Sequence, residues 1–346
     1  MTQLRVGIIG CGRPWRSEGA SGFGMAHLHA RGYARVPGVA LVALADIRQE
    51  NALAFQAEHG GERIYHDYRT MLERERLDVV SVCTWPALHA EMVIAAAEAG
   101  VRAIHCEKPM APTYGESRRM AEICRTRGVQ LTFNHQRRFG PLFRAARTLL
   151  RENAIGPLRR MEASCPNMFD WGTHWFDMFG FFNDETPALW VLGQVETRRQ
   201  HTVFGVPVDV QGISQIRFQN GVGALLATGG DTPEPVLVRL VGDAGAIEID
   251  VTARPVLRLW GHNQHGWEEQ AVAPAPGQGE EDSVALGVVD LLEALATGRE
   301  PELSAARALR ATELIFATYE SSRRRARIDL PLTIEDSPFL EMVGGI

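Results

Sequence analysis

The sequence predicts an α/β Rossmann domain, a doubly wound parallel sheet, followed by an α+β domain built on a large open, mainly antiparallel sheet. Three observations carry this. A β-branched run from Arg5 to Ile9 ends in Gly10-Cys11-Gly12. Apolar strands and helical stretches then alternate as far as Phe133. Beyond Asn134 the pattern changes to β-rich stretches joined by turn residues. The boundary falls there, giving one domain over residues 1–133 and a second over 134–346.

Composition narrows the function classes. A chain of 346 residues can bury two cores, and 45% hydrophobic with 23% charged residues is ordinary for a soluble globular protein. A net charge of −6 argues against nucleic acid as the main partner. The opening residues read as a first strand, not a charged apolar leader, and no apolar run approaches the ~20 residues that span a bilayer. Cys11, Cys83, Cys106, Cys124 and Cys165 are scattered and form no Cys-x-x-Cys pair. That argues against a cysteine zinc site or a disulfide framework and fits a reducing cytoplasm. No metal ligands and no internal repeat are read from the sequence.

In the first domain, Gly10 and Gly12 allow a tight turn and let backbone approach a pyrophosphate. The chain then inserts Arg13 to Phe23 before a helix resumes at Gly24-Met25-Ala26. Ala26 is the small residue where helix and strand pack closely. The strand Val39 to Ala45 ends in Asp46, about twenty residues beyond Ala26, the spacing at which an acid reaches the ribose hydroxyls. Helices follow over Asn51 to His59 and Tyr68 to Glu75. A buried strand, Asp78 to Thr84, leads to Trp85-Pro86 and a helix opened by His89 and closed at Gly100. His89 is either a helix-start residue or a cofactor contact. The next strand, from Val101, stops at Glu107-Lys108-Pro109. Proline biases its predecessor toward extended backbone, so Lys108 is held at a strand's carboxyl end, where open parallel sheets bind ligands. A helix from Glu116 to Arg127 and a strand to Phe133 complete the alternation.

In the second domain a helix over Pro141 to Glu152 precedes a strand over Leu158 to Ala163. Later strands are expected at Ala188–Arg198, Gly212–Phe218, Val222–Thr228, Val236–Val241, Ala246–Val251 and Val256–Trp260. A loop over Ala273 to Gly279 leads to helices at Ser283–Ala296 and Ser304–Ser321. Within Asp170-Trp171-Gly172-Thr173-His174-Trp175-Phe176-Asp177, residues 170 and 174 share a face if the stretch is helical, and 174 can also meet 177. Histidine is suited to take a hydroxyl proton near neutral pH, and a carboxylate beside it sets its orientation. The competing reading is an aromatic core helix whose histidine is satisfied by Asp177.

Taken together these segments resemble the glucose–fructose oxidoreductase / inositol dehydrogenase / MocA family of sugar-type dehydrogenases, from about Leu4 to Leu332. The markers are Gly10-Cys11-Gly12, Asp46, Thr84-Trp85-Pro86 with His89, Glu107-Lys108-Pro109, Arg138-Phe139, Asp170 with His174, and the ending from Tyr319-Glu320-Ser321 to Leu330-Pro331-Leu332. The resemblance implies catalysis by Lys108, Asp170 and His174. It implies an NAD or NADP site using Gly10, Gly12, Ala26, Asp46, Arg48, Thr84, Pro86, His89, Glu107 and Lys108, and a homodimer or homotetramer formed through the open sheet. Asp46 favours NAD, while Arg48 softens that preference and leaves NADP open.

Two departures bear on the substrate. The insertion brings Arg13, Trp15 and Arg16 to the cofactor side, as phosphate clamps or a roof over the substrate. Trp171 is bulky where the family often has a small residue. With Asn134, Trp15, Arg16 and Trp171 are the substrate candidates. The expected reaction moves a hydride between a secondary hydroxyl of a sugar or cyclitol and nicotinamide. A redox glycosidase, which oxidises its sugar only transiently, is the first alternative. A dinucleotide-sensing protein without catalysis is the second.

Overall fold

A computed structural model describes residues 3–14, 17–229, 237–250, 256–261, 266–272 and 280–344. The chain divides into two compact units, each with its own core.

The first unit comprises Met1–Pro112, Glu116–Gln136 and Gly279–Ala308. Its strands are β1 (Leu4–Ile9), β2 (Val39–Ala45), β3 (Arg63–Tyr65), β4 (Val79–Val82), β5 (Ala103–Cys106) and β6 (Gln130–Phe133), interleaved with α1 (Met25–Tyr33), α2 (Gln49–His59), α3 (Tyr68–Arg74), α4 (Pro86–Glu98) and α5 (Tyr114–Arg127). All six strands are parallel, in the order β3-β2-β1-β4-β5-β6. The order reverses beside β1, which places the ends of β1 and β4 at the switch point where such sheets take ligands. The apolar runs of β1, β4 and β5 are buried because helices cover both faces of the sheet.

Three local readings change. Helix α4 begins at Pro86, not His89, since proline suits the first helical turn and needs no donor there. The short strand β3 went unread because three residues carry almost no periodicity. Residues 279–308, which the 133/134 boundary assigns to the second domain, cluster with the first. The reason is packing: Val288, Leu291 and Leu292 of α8 (Glu280–Thr297) bury against Ala26, Ala30 and Tyr33 of α1.

The second unit contains α6 (Pro141–Arg151), β7 (Leu158–Cys165), α7 (Gly172–Phe182), β8 (Ala188–Val195), β9 (Gln200–Val203), β10 (Val206–Asp209), β11 (Gln211–Phe218), β12 (Gly223–Gly229), β13 (Leu237–Gly242), β14 (Gly245–Asp250), β15 (Val256–Gly261) and β16 (Glu268–Glu269). It also holds most of α9 (Ala305–Arg324), then β17 (Ile328–Asp329) and α10 (Pro338–Met342). Nine strands form one sheet, in the order β16-β15-β14-β13-β7-β12-β11-β8-β17. Only the β7–β12 pair is parallel among its described ladders. Strand β12 alternates buried and half-buried residues, as a sheet with one covered face requires. Met161, Leu226, Ile216 and Leu240 join Trp175, Phe176, Phe316 and Tyr319 in the core. On the strands, Leu189, Leu192 and Ile213 remain 44%, 45% and 47% exposed. The β9–β10 hairpin was not read from the sequence, and the loop expected over 273–279 lies outside the described residues.

Candidate active site

Each unit carries candidate site residues of its own. In the first, β1 delivers the chain into a turn where Gly10 has φ 85° and Gly12 φ 59°. A Cβ at Gly10 would stand 2.8 Å from the carbonyl of Cys83, so only glycine lets β1 and β4 end this close. A Cβ at Gly12 would meet nothing within 4 Å. The turn therefore presents bare backbone to open space, the surface a pyrophosphate needs. Asp46, at the end of β2, accepts the Gly12 N–H at 3.0 Å and the Arg48 N–H at 2.8 Å. Its carboxylate is thus fixed beside the turn, with lone pairs left for ribose hydroxyls. Ala26 is buried in the core that includes Val6 and Ile8 of β1, and the Arg48 side chain is exposed.

The insertion folds back on its own unit. Arg13 donates from Nε to Asn51 at 3.1 Å and from Nη1 to the Glu18 carbonyl at 2.6 Å, which ties the insertion to α2. Two of the five Arg13 N–H donors are therefore engaged within the protein. Trp15 and Arg16 lie outside the described residues.

Lys108 follows β5 and is half-buried, and its bond to Pro109 is cis. The frame around it is polar and dry. His89 is fully buried, its Nδ1 2.9 Å from the Pro109 carbonyl and its Nε2 3.1 Å from the Thr84 carbonyl. Burial lowers its pKa against the pull of those carbonyls, so the ring is neutral and donates to one of them. His89 thus joins the end of β4, at Thr84 and Pro86, to the loop carrying Lys108. Glu107 accepts at one oxygen from His29 Nε2 at 2.9 Å and from Asn134 Nδ2 at 2.8 Å. Burial raises the Glu107 carboxyl, but the bond and charge of His29, the Asn134 amide and the Lys108 charge outweigh it and hold the group below its ordinary value. His89, Glu107 and Asn134 are 0%, 6% and 1% exposed. Together they form a polar frame around the segment that carries Lys108. A buried carboxylate needs such partners to stay charged.

In the second unit α7 starts at Gly172, so Asp170 lies in the preceding turn and does not share a helix face with His174. The turn is shaped by Asn167, whose Oδ1 accepts the N–H of Asp170 at 2.7 Å and of Trp171 at 3.3 Å. Its base is pinned by Asp209, which accepts the Met168 N–H at 3.0 Å, the Thr228 hydroxyl at 3.0 Å and the Tyr319 hydroxyl at 2.7 Å. Burial raises the Asp209 pKa, and these bonds oppose it. Both oxygens of Asp177 accept from Arg138, at 2.8 and 2.9 Å. The Arg137 guanidinium stacks 5.5 Å from the Trp171 ring and 4.7 Å from that of Trp175. Asp170 and His174 are both buried, at 5% and 4% exposure.

Sequence reading missed His29, Asn167, Arg137 and Asp209. Only Asn167 left a signal, an Asx residue three before Asp170 at a turn.

A model of an oxidoreductase family with an NAD-binding Rossmann fold, Gfo/Idh/MocA, matches residues 4–135. The match spans the Rossmann strands β1 to β6. Among relatives, D-apiose dehydrogenase of Paraburkholderia graminis is 28% identical across 97% of this chain and 92% of its own. Myo-inositol 2-dehydrogenase of Thermotoga maritima is 26% identical over 63% of this chain and 66% of its own. The crystal structure of levoglucosan dehydrogenase with NADH and levoglucosan shares the fold at a TM-score of 0.81 and 23% identity, covering 96% of this chain and all of that one. The matched fold is NAD-binding, and the Gly10–Gly12 turn with Asp46 fits such a dinucleotide. Among the described residues no helix is long and apolar enough to cross a membrane.

Proposed function

We propose that this protein is a Gfo/Idh/MocA member, an NAD-dependent dehydrogenase acting on a secondary hydroxyl of a sugar, sugar derivative or cyclitol. The observation that carries the reading is Lys108, a half-buried cation set at the carboxyl end of a central Rossmann strand by a wholly internal polar frame. The sugar class is supported by the D-apiose dehydrogenase relative, matched along almost the whole chain.

Gly10, Gly12, Ala26, Asp46 and Thr84 hold the dinucleotide, with Asp46 on the adenosine ribose favouring NAD over NADP. Oxidised nicotinamide, when bound, supplies the hydride acceptor. His174 takes the proton of the reacting hydroxyl, and Asp170 orients the imidazole or a neighbouring substrate hydroxyl. Lys108 donates a hydrogen bond to the oxygen as it gains alkoxide character, stabilisation aimed at developing charge. In the reverse direction the same groups protonate a carbonyl. Trp15, Arg16 and Trp171 bound the substrate; unchanged turnover in Trp15→Ala and Arg16→Ala would remove the first two from that role.

The test is a screen of sugars, cyclitols and glycosides that records NADH and released aglycone together. NADH formed with a free polyol supports the dehydrogenase. Aglycone released without net NADH would replace it with a redox glycosidase.

The exposed apolar residues Leu189, Leu192 and Ile213 support a homodimer or homotetramer built on the open sheet face. Sedimentation of wild type against Leu192→Glu tests it; a monomeric wild type would refute it.

A further inference from the structure

In the first unit, outside every residue assigned to cofactor or reaction, two helices bring three metal-binding side chains together. His27 stands in the first turn of α1, and Glu58 and His59 end α2. His27 Nδ1 lies 2.9 Å from His59 Nε2. Glu58 reaches both rings, with Oε2 3.3 Å from His27 Nδ1 and Oε1 3.3 Å from His59 Nε2. One ligand atom of each residue lies within 4.8 Å of the others. We infer that His27, Glu58 and His59 form a site for a divalent transition metal of the zinc class, bound by two imidazole nitrogens and a carboxylate oxygen, with a fourth position for water.

The spacing is close to what such an ion imposes. Bonds of roughly 2.05 Å in a tetrahedron put ligand atoms about 3.3 Å apart. Each Glu58 oxygen stands at that length from one imidazole, a rotation of the half-exposed carboxylate brings a single oxygen toward both, and the imidazole pair need open by only about 0.4 Å. The rings are also held in place. Phe55, fully buried, packs against both, with centroids 4.9 Å from His27 and 4.8 Å from His59. A set fixed by packing loses little freedom on binding.

Charge and ligand type point the same way. A metal takes each imidazole in its neutral form, through a ring nitrogen lone pair. Arg31 works against any cation, and Glu58 offsets it. Two nitrogens and one oxygen suit zinc, cobalt or nickel, whereas magnesium and calcium prefer oxygen alone. The Glu58 side chain is 48% exposed, against 5% for His27 and 10% for His59, so the open position is on the solvent side. The bland account of the same atoms is a neutral imidazole-to-imidazole hydrogen bond, and the experiment separates the two.

Tag-free full-length protein, stripped with a chelator and dialysed, is titrated with zinc by calorimetry and followed by thermal melting. The same is done for His59→Gln and Glu58→Gln, with NAD titration as the control for folding. The expected result is one zinc per chain, a raised melting temperature, and no competition from magnesium. Each variant should lose more than the roughly 10- to 100-fold in affinity that a merely supporting partner contributes. No zinc uptake by the wild type, or uptake unchanged in Glu58→Gln, would overturn the site. Should His59→Gln fail to fold, Glu58→Gln decides alone, since its side chain is half-exposed.

Discussion

Arg138 grips Asp177 with two parallel hydrogen bonds, Nε to Oδ2 at 2.8 Å and Nη2 to Oδ1 at 2.9 Å, inside the second unit's core. Its third arm reaches Glu185 at 2.6 Å. Both partners are buried, so removing one strands the other's charge. Asp177→Ala should lower unfolding stability by about 3–5 kcal/mol. Urea denaturation measures it, and a loss below about 1 kcal/mol would show that the pair contributes no more than a surface bridge.

Glu75 gives the first unit an acid limit. It accepts from Arg5 at 2.8 Å, Arg63 at 2.7 Å and the Tyr65 hydroxyl at 2.6 Å. The Arg63 bond, then Tyr65 and the two arginine charges, outweigh burial and bring its carboxyl down from 4.5 to about 2. A depressed carboxylate contributes stability that is complete above its unfolded pKa and is lost as pH falls through its folded one. Stability should therefore decline between pH 4.5 and about 2. Glu75→Gln should lower stability at neutral pH by about 1–2 kcal/mol, allowing for screening at the part-exposed arginines, and flatten that decline. A variant with the wild-type acid profile would contradict the assignment.

Asp46 is expected to serve both the turn and the cofactor. Asp46→Ala should weaken NAD binding about 10- to 100-fold, since it removes charge-assisted bonds to two backbone N–H groups and to ribose. Fluorescence titration with both dinucleotides checks it. Tighter NADP binding by the wild type would contradict the role given to Asp46.

Asn167 shapes the turn before α7 and has no share in the cofactor turn. Asn167→Ala should cut turnover about tenfold while leaving NAD affinity unchanged, because it misplaces Asp170 without touching the Rossmann unit. Equal losses in both would indicate general unfolding.

Much of the fold was legible because Rossmann strands are continuous apolar runs and their punctuation is glycine. Gly10-Cys11-Gly12, Asp46 and Lys108-Pro109 could be placed from local sequence alone. The partners of buried polar groups could not. Nothing near Asp177 in sequence says that Arg138, 39 residues away, will take both its oxygens. The same holds for His29 with Glu107, 78 residues apart, and for Tyr319 with Asp209, 110 apart. Such pairs follow from topology, and the octet around His174 was therefore read as more self-contained than it is. The helix start was misjudged for a related reason: the Asn167 side chain, not a residue of the octet, organises that turn.

The central claim, a sugar or cyclitol dehydrogenase working through Lys108, is tested most directly by steady-state NADH formation in Lys108→Met on the best substrate of the screen, with NAD titration in parallel. The account predicts a fall in turnover of about 10²- to 10³-fold with NAD affinity little changed. Turnover within a few-fold of wild type would contradict it and place the chemistry elsewhere in the chain.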